Sequence, residues 1–199
     1  LAKELAKRTR FLRDEIIAIE LAEEERQGKK VLLGFYDSFK RLLINKLTHE
    51  QFADLYAQTL TYGIFAARTK SEGDFNRELI YKYIPNTLGV LKSIFKFISY
   101  DEPPKALEVL IDDIAEILCV TDIKKILHVY YKEGKGSDPI IHFYETFLSE
   151  YDPTLREKRG VYYTPEPVVR YIVKSIHSIL KSHFSLKDGL ADSAVTLLD

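Results

Sequence analysis

Apolar side chains recur every three or four positions along most of this chain, which is the spacing of one buried face on an α-helix. No run with the strict alternation of a half-buried strand interrupts this pattern before Gly160. The pattern therefore predicts an all-α region up to that residue. The predicted helices cover residues 1–27, 31–45, 48–67, 76–84, 86–98, 106–118, 121–130, 139–149 and 153–158.

The first two helices have predicted inward faces of large aliphatic and aromatic residues. In the first helix these residues are Leu1, Leu5, Leu12, Ile16 and Ile19. In the second they are Leu32, Phe35, Tyr36, Phe39, Leu42 and Leu43. We expect the first helix to end at Gly28, because glycine readily takes the left-handed conformation found at helix ends.

The third predicted helix has the clearest start. Thr48 and Gln51 have the spacing of a capping box, in which each side chain accepts a hydrogen bond from the backbone amide of the other residue. Small residues along this helix would let neighbouring helices approach closely, so we expect it to be buried. They are Ala53, Ala57, Gly63, Ala66 and Ala67.

The pattern changes after Gly160. Val161, Tyr162 and Tyr163 form a short segment predicted to be extended, and Thr164-Pro165 has the character of a helix start. The inward face of the helix that follows is predicted to hold Val168, Val169, Ile172, Val173, Ile176, Ile179 and Leu180. Residues 194–199, which end on Asp199, have the continuous apolar character of a buried parallel strand.

Charge is distributed unevenly along the first helix. Its front half carries Lys3, Lys7, Arg8, Arg10 and Arg13, and its back half carries Glu20, Glu23, Glu24 and Glu25. This order opposes the helix dipole, which favours acids first and bases last. The basic turns either face a phosphate backbone or form part of a solvated helix face, and we favour the solvated face because charge runs usually have that role.

Composition excludes several classes of protein. The net charge of −1 gives no global attraction to nucleic acid. The longest apolar runs are too short to cross a bilayer, and no signal peptide opens the chain. The single cysteine, Cys119, excludes an internal disulfide framework. We therefore expect a cytoplasmic protein with no membrane partner.

Other candidate chemistries are weak. Asp122 with Glu133-Gly134-Lys135 has the order of a nuclease metal site, but these residues fall at a predicted helix start and in a glycine-rich loop rather than on strands. The same loop lacks the spacing of a phosphate-binding loop. The five histidines lack the spacing of metal ligands. We predict no catalytic residue and no metal ligand in this chain.

Two stretches near the C-terminus carry a resemblance to a known family. Residues 139–148, PIIHFYETFL, and residues 151–173, YDPTLREKRGVYYTPEPVVRYIV, resemble the start of the methyltransferase domain in bifunctional restriction enzymes. These enzymes, of type IIG, type IIS or single-chain type I-like organisation, cut DNA and methylate adenine at N6. Residues 51–68 are similar to the helical connector that precedes that domain.

The resemblance assigns roles to particular residues. It identifies Gly-x-Tyr-Tyr-Thr-Pro as methyltransferase motif X, so Tyr162, Tyr163, Thr164 and Pro165 are expected to line the S-adenosylmethionine pocket, with Val168 in support. The free amides at the start of a helix suit the cofactor's carboxylate. Asp199 is expected to end the first strand of the cofactor domain and to begin its Asp-Pro-x-x-Gly-x-Gly motif.

The fold class implied is mostly α. A helical bundle-like connector over residues 1–138 precedes the first helix and first strand of a truncated, Rossmann-like α/β methyltransferase domain over residues 139–199. The glycine loop and the Asn/Asp-Pro-Pro-Tyr/Phe motif that grips a flipped adenine are absent. Because the helical pattern is already under way at Leu1 and the chain stops at a predicted strand end, we expect an inactive piece of a longer protein.

In that protein the chain is expected to be a spacer between an upstream nuclease and the downstream methyltransferase and specificity domains. S-adenosylmethionine and DNA are then bound by the full-length protein, and Mg²⁺ by the separate nuclease domain. The main alternative is a stand-alone α-helical module that binds nucleic acid or protein, which predicts tight, salt-sensitive DNA binding. An intact nuclease, inactivated by Glu133→Ala, is a third hypothesis.

Overall fold

The computed structural model describes residues 1–85, 89–132, 139–154 and 166–197. These residues are mostly α-helical, and none of them lies in a β-strand. The helices are α1 (Ala2–Phe11), α2 (Ala18–Gln27), α3 (Leu32–Leu42), α4 (His49–Lys70), α5 (Arg77–Tyr83), α6 (Gly89–Tyr100), α7 (Lys105–Val120), α8 (Ile123–Lys132), α9 (Pro139–Tyr151) and α10 (Glu166–Ser182).

Helices α1 and α2 form one continuous helix through a π-helical turn, Leu12–Ile17. A π turn holds more residues than an α turn, so the buried face beyond it is shifted along the sequence. Leu5, before the turn, is buried as predicted, but Leu21 is buried after it and Ile19 is 54% exposed. The prediction for Ile19 is wrong because it assumed an unbroken 3.6-residue period. Gly28 ends the helix in the left-handed conformation, as expected.

Glu24 joins α2 to α3 through its buried side chain. Its two carboxylate oxygens accept hydrogen bonds from the backbone amides of Val31, Leu32 and Leu33, all at 2.9 Å. The first amides of a helix have no partner within the helix, and a negative charge at that end is favourable. Glu24 is therefore a buried cap for the start of α3, a role that the charge pattern did not indicate.

Helix α3 ends earlier than the sequence pattern predicted. Leu32 and Phe39 are buried, but Leu42 is 57% exposed and Leu43 is 63% exposed. The helix ends at Leu42 because the chain must turn there to begin α4. The last two residues of the predicted inward face therefore lie outside the core.

Helix α4 is the central helix of the bundle and contacts α1, α2, α3, α5, α7 and α8. The predicted capping box at its start is confirmed: the Gln51 amide donates to the Thr48 hydroxyl at 3.2 Å, and the Thr48 amide donates to the Gln51 side chain at 3.1 Å. The small residues do allow close packing. A Cβ atom on Gly63 would overlap the ring of Phe95 in α6.

Arginine side chains connect helices that are distant in sequence. Arg77, at the start of α5, donates to the Ile98 carbonyl at 2.7 Å and to the carboxylates of Glu108 and Asp112 at 2.9 Å each. The neighbouring acid, Asp113, instead accepts from Arg8 of α1 at 2.6 Å. The two adjacent aspartates therefore serve different ion pairs.

Asp122 lies at the start of a helix, as predicted, and caps it. Its side chain accepts from the Lys125 amide at 2.9 Å, at the start of α8. It therefore lies at a helix start rather than on a strand, as the argument against a nuclease site requires. Glu133, Gly134 and Lys135 of that motif lie outside the described residues.

After α10 the chain turns back on that helix through a short 3-10 turn, Gly189–Ala191. The Leu190 amide donates to Nδ1 of His177 at 3.3 Å. Residues 194–197 of the predicted strand do not form one, and residues 198–199 lie outside the described part of the chain. A strand needs a neighbouring strand for its backbone hydrogen bonds, and the described residues offer none.

The Glu24 cap leads to a first prediction. Glu24→Ala leaves three helix-start amides without their acceptor, so we expect the free energy of unfolding to fall by about 3 kcal/mol. Glu25→Ala, at an exposed neighbouring position, is the control and changes it by less than ~0.5 kcal/mol. Urea denaturation followed by circular dichroism measures both. Equal effects of the two variants would contradict the role of Glu24.

Substitution by alanine is predicted to change stability in opposite directions at two helical glycines. A Cβ atom on Gly34 of α3 meets nothing within 4 Å, so Gly34→Ala should stabilise the chain by about 0.5–1 kcal/mol through helix propensity alone. Gly63→Ala gains the same propensity but displaces the Phe95 ring, and we expect a net loss of about 1–2 kcal/mol. Thermal unfolding of both variants tests this, and stabilisation by both would refute the close α4–α6 contact.

Candidate functional site

The residues that the resemblance assigns to the cofactor pocket lie outside the described residues. This applies to Tyr162, Tyr163, Thr164 and Pro165, and also to Asp199. The structure does describe both flanks of the motif X segment, which are the end of α9 and the body of α10. These flanks determine where the segment starts and what the helix after it can contact.

Helix α9 is packed into the helical bundle. Its main contacts are with α1 and α8, and the ring of Phe143 stacks on Phe65 of α4 with centroids 4.0 Å apart. Phe147 and Tyr151, one turn apart, are also buried and stack on each other at 5.6 Å. Stacked aromatic pairs add to the stabilisation that burial alone provides. The chain therefore enters the motif X segment from a firmly held helix.

The last turn of α9 is held by an arginine of α1. Arg10 donates to the backbone carbonyls of Glu150 at 2.6 Å and Tyr151 at 3.1 Å. The final carbonyls of a helix have no partner within it and carry partial negative charge, so a cation is favourable there. Arg10 thus both caps α9 and ties it to α1.

Tyr151 is the centre of a buried polar cluster at the end of α9. Its hydroxyl donates to a carboxylate oxygen of Asp54 in α4 at 2.6 Å. Arg13 donates to the same hydroxyl at 3.2 Å and lies over the Tyr151 ring, 5.3 Å from its centroid. Gln58 donates to the second oxygen of Asp54 at 2.8 Å. We call Arg13, Asp54, Gln58 and Tyr151 the Tyr151 cluster.

The electrostatics of this cluster keep Tyr151 neutral. Burial raises the pKa of the Tyr151 hydroxyl, and the hydrogen bond to the Asp54 carboxylate raises it further. The neighbouring Arg13 acts in the opposite direction but does not prevail. The phenol therefore keeps its proton and remains a donor to Asp54. The hydrogen bonds of the cluster tie the end of α9 to α4 and to the first helix.

The arginines in the basic half of the first helix have a different role from either sequence interpretation, whereas Lys3 and Lys7 are exposed, as a solvated face predicts. Arg8 pairs with Glu4 at 2.7 Å and with Asp113, while Arg10 and Arg13 bind the end of α9. The side chains of Arg8 and Arg13 are only 21% and 26% exposed. These arginines are therefore inter-helix contacts rather than phosphate ligands or a solvated face. The sequence signal for this cluster was Asp54, the only acidic residue of α4 beyond its first turn.

Helix α10 carries an apolar face that the described residues leave uncovered. Six of the residues predicted to face inward are each 42–47% exposed; they are Val168, Val169, Ile172, Val173, Ile176 and Ile179. Within the described residues, the main contacts of α10 are with the 3-10 turn at Gly189–Ala191. A helix with an apolar stripe of this length normally buries it against another layer of structure. We call these six residues the α10 face.

Neither a metal site nor a membrane segment was found in the described residues. Their histidine, cysteine, aspartate and glutamate side chains form no group that could hold a metal ion. None of the helices in the described ranges has the length and apolar character needed to cross a bilayer.

A pair of tyrosines provides a prediction for the Tyr151 cluster. Tyr151→Phe removes the donor to Asp54, and we expect the free energy of unfolding to fall by about 1.5–3 kcal/mol. Tyr56 is the matched control, because its hydroxyl is buried with no hydrogen-bond partner among the described residues. Tyr56→Phe should leave stability unchanged or raise it by about 1 kcal/mol. Chemical denaturation distinguishes the two, and equal losses would contradict the cluster.

Comparison with known proteins finds one family model that is similar to the region containing these flanks. Residues 135–198, which include α9 and α10, match the model of the N-6 DNA methylase family. No curated protein and no solved structure matches the chain. The match supports the prediction of an adenine methyltransferase region, and the family that it matches uses S-adenosylmethionine. Residues 135–198 are thus similar to the N-6 DNA methylases, and they contain the motif X segment between two described helices.

Proposed function

We propose that this chain is a helical spacer joined to the N-terminal edge of the S-adenosylmethionine pocket of an adenine-specific DNA methyltransferase. The observation that carries the proposal is the α10 face, an uncovered apolar stripe within the region similar to the N-6 DNA methylases. A stripe of this kind requires a partner layer, and the fold of a methyltransferase supplies one.

In this proposal the α10 face packs on a parallel sheet whose first strand is residues 194–199. The strand forms only when neighbouring strands are present, which accounts for the irregular backbone at residues 194–197. Helices cover the faces of parallel sheets, and ligands bind at the carboxyl ends of the strands. Asp199 would then lie at the cofactor end of the first strand.

The motif X residues would line the pocket next to that strand. Tyr162 and Tyr163 provide aromatic walls, and Thr164 and Pro165 begin α10 with its free amides toward the carboxylate of S-adenosylmethionine. Val168 supports them from the α10 face. When bound, the cofactor supplies the methyl group for adenine N6. The residues of this chain hold and orient the cofactor, and they take no covalent part in the transfer.

The helical bundle holds the end of α9, the helix that precedes the proposed edge of the cofactor pocket. The Tyr151 cluster and the Arg10 cap hold the end of α9, and the motif X segment begins only a few residues later. Small displacements of the groups in a catalytic pocket lower the reaction rate. A rigidly held end of α9 therefore favours activity. Because α9 packs within the bundle, we place the junction between spacer and methyltransferase after Tyr151 rather than at residue 139.

The spacer also separates two activities in this proposal. An upstream nuclease with its own Mg²⁺ would cut DNA, and the length of the bundle would set the distance between cleavage and methylation. The support for this step is the resemblance of residues 51–68 to the connector of bifunctional restriction enzymes. Downstream specificity elements would choose the DNA sequence.

The reading frame that encodes the chain provides the test. We expect it to continue after Asp199 with Pro-x-x-Gly-x-Gly and later to contain Asn-Pro-Pro-Tyr or a close variant. Its product should transfer methyl groups from labelled S-adenosylmethionine to adenine in DNA, whereas residues 1–199 alone show no micromolar cofactor binding by calorimetry. A frame that lacks both motifs, or a product without methyl transfer, would refute the proposal.

A variant in that product tests the pocket itself. Tyr163→Ala removes one aromatic wall and should raise the Kd for S-adenosylmethionine about tenfold, a loss of about 1.4 kcal/mol. Tyr171→Ala is the control, since Tyr171 is 74% exposed and is not part of the α10 face. Unchanged cofactor affinity in Tyr163→Ala would remove this residue from the pocket.

A further inference from the structure

A second exposed apolar surface lies at the opposite end of the sequence from α10. Leu42, Leu43 and Ile44, three consecutive residues after the main body of α3, are 57%, 63% and 41% exposed. Single exposed apolar residues are ordinary, but adjacent ones on one turn indicate an interaction surface. We call residues 40–46 the α3 turn.

The α3 turn is held in place by its backbone and by its anchor residue. The amides of Leu43 and Ile44 both donate to the carbonyl of Phe39, at 2.9 and 3.0 Å. Leu47 is buried, and its carbonyl accepts from the Tyr36 hydroxyl at 2.9 Å. The apolar side chains are therefore presented on a fixed support, which reduces the entropic cost of binding a partner.

Cations flank the apolar residues of this turn. Lys40, Arg41 and Lys46 are all exposed, and no acidic residue occurs between Ser38 and His49. Lys40 lies over the ring of Tyr36 at 5.5 Å. Several other arginines pair with carboxylates. None of the ion pairs found among the described residues includes Lys40, Arg41 or Lys46.

We propose that the α3 turn docks on duplex DNA, with Leu42 and Leu43 inserted as an apolar wedge at a base step of the minor groove. Lys40, Arg41 and Lys46 would contact the phosphates on either side. Leucine and isoleucine wedges flanked by basic residues are a known way to grip and bend a duplex without reading its sequence. Such a contact would anchor the spacer to DNA near the site of methylation.

The charge pattern favours DNA over other partners. An apolar protein partner would fit the uncharged α10 face better than the α3 turn, because the α3 turn carries three cations. Peripheral membrane binding normally uses a long amphipathic helix, whereas this surface is one turn with three apolar side chains. The choice of DNA as the polyanion rests on the proposed function. The inference is compatible with the net charge of −1, because three local cations are expected to give only weak binding to DNA.

The experiment measures binding of residues 1–199 to a short fluorescein-labelled duplex by fluorescence anisotropy. Three phosphate contacts predict a log–log salt slope of about −2.7, so affinity should fall about 40-fold when salt rises fourfold from ~50 mM. A second duplex with 2-aminopurine reports unstacking, and we expect its fluorescence to rise on binding. The stand-alone nucleic-acid-binding module considered above predicts tighter binding and a steeper slope.

Two variants separate the cations from the wedge. Replacing all three cations, Lys40→Gln with Arg41→Gln and Lys46→Gln, should lower affinity at least tenfold and bring the salt slope close to zero. Leu42→Ser with Leu43→Ser should leave the slope unchanged, lower affinity severalfold and abolish the 2-aminopurine signal. Circular dichroism and thermal unfolding establish that each variant is folded.

Matched controls keep the overall charge and apolar area equal. The charge control replaces the exposed lysines Lys96, Lys124 and Lys125 by glutamine. The apolar control replaces Val109 and Val120, which are 58% and 80% exposed, by serine. Both controls should bind the duplex like the parent chain and retain the fluorescence signal.

Several results would overturn the inference. These are equal loss of binding in the charge control, binding unaffected by the cation variant, or no 2-aminopurine signal in the parent chain. Binding to anionic phospholipid vesicles in place of the duplex would also overturn it and identify a membrane surface. Failure of the proposed function is a separate outcome, because that function is tested by measuring methyl transfer by the product of the complete reading frame, not by DNA binding of residues 1–199.

Discussion

A buried hydrogen bond from the Tyr151 hydroxyl to the Asp54 carboxylate holds the end of α9 against α4, and Arg13 extends the contact to the first helix. Its partners are separated by 97 and 138 residues in the sequence, so it closes the bundle across nearly its whole described length. Each polar atom in it has a partner, which burial requires. The contact therefore fixes the end of α9, the last helix described before residues 155–165.

The bundle uses charge to define how its helices meet. Glu24 links α2 to α3, Arg77 links α5 to α6 and α7, and Arg10 links α1 to α9. Buried or half-buried ion pairs add little net stability, because desolvation offsets their attraction. What they do provide is a strong penalty for any other arrangement, since a shifted helix would leave a charge unpaired. The proposed spacer role would benefit from that penalty, because it requires a fixed arrangement of helices.

Two exposed apolar surfaces remain on this framework, and their surroundings distinguish them. The α10 face is long, aliphatic and part of the region similar to the N-6 DNA methylases, which favours burial against a protein layer. The α3 turn is short and flanked by three cations, which favours a polyanion. Under the two proposals, the α10 face would join the chain to a methyltransferase and the α3 turn would contact its DNA substrate.

Local patterns were enough to predict the described helices, the Thr48 capping box, the helix start at Asp122 and the apolar stripe of α10, because each depends on residues within a few positions of one another. The predicted helix over residues 153–158 extends outside the described part of the chain. The resemblance also identified the methyltransferase region, although the pocket residues 162–165 and Asp199 remain predictions. The exposed Ile19, the early end of α3, the buried Glu24 and the pairing of Arg10 and Arg13 with α9 were decided by packing. A π turn shifts every later residue of its helix, and arginine partners lie up to 141 residues away. The spacing of apolar residues along the sequence reveals neither the π turn nor the distant partners of the arginines.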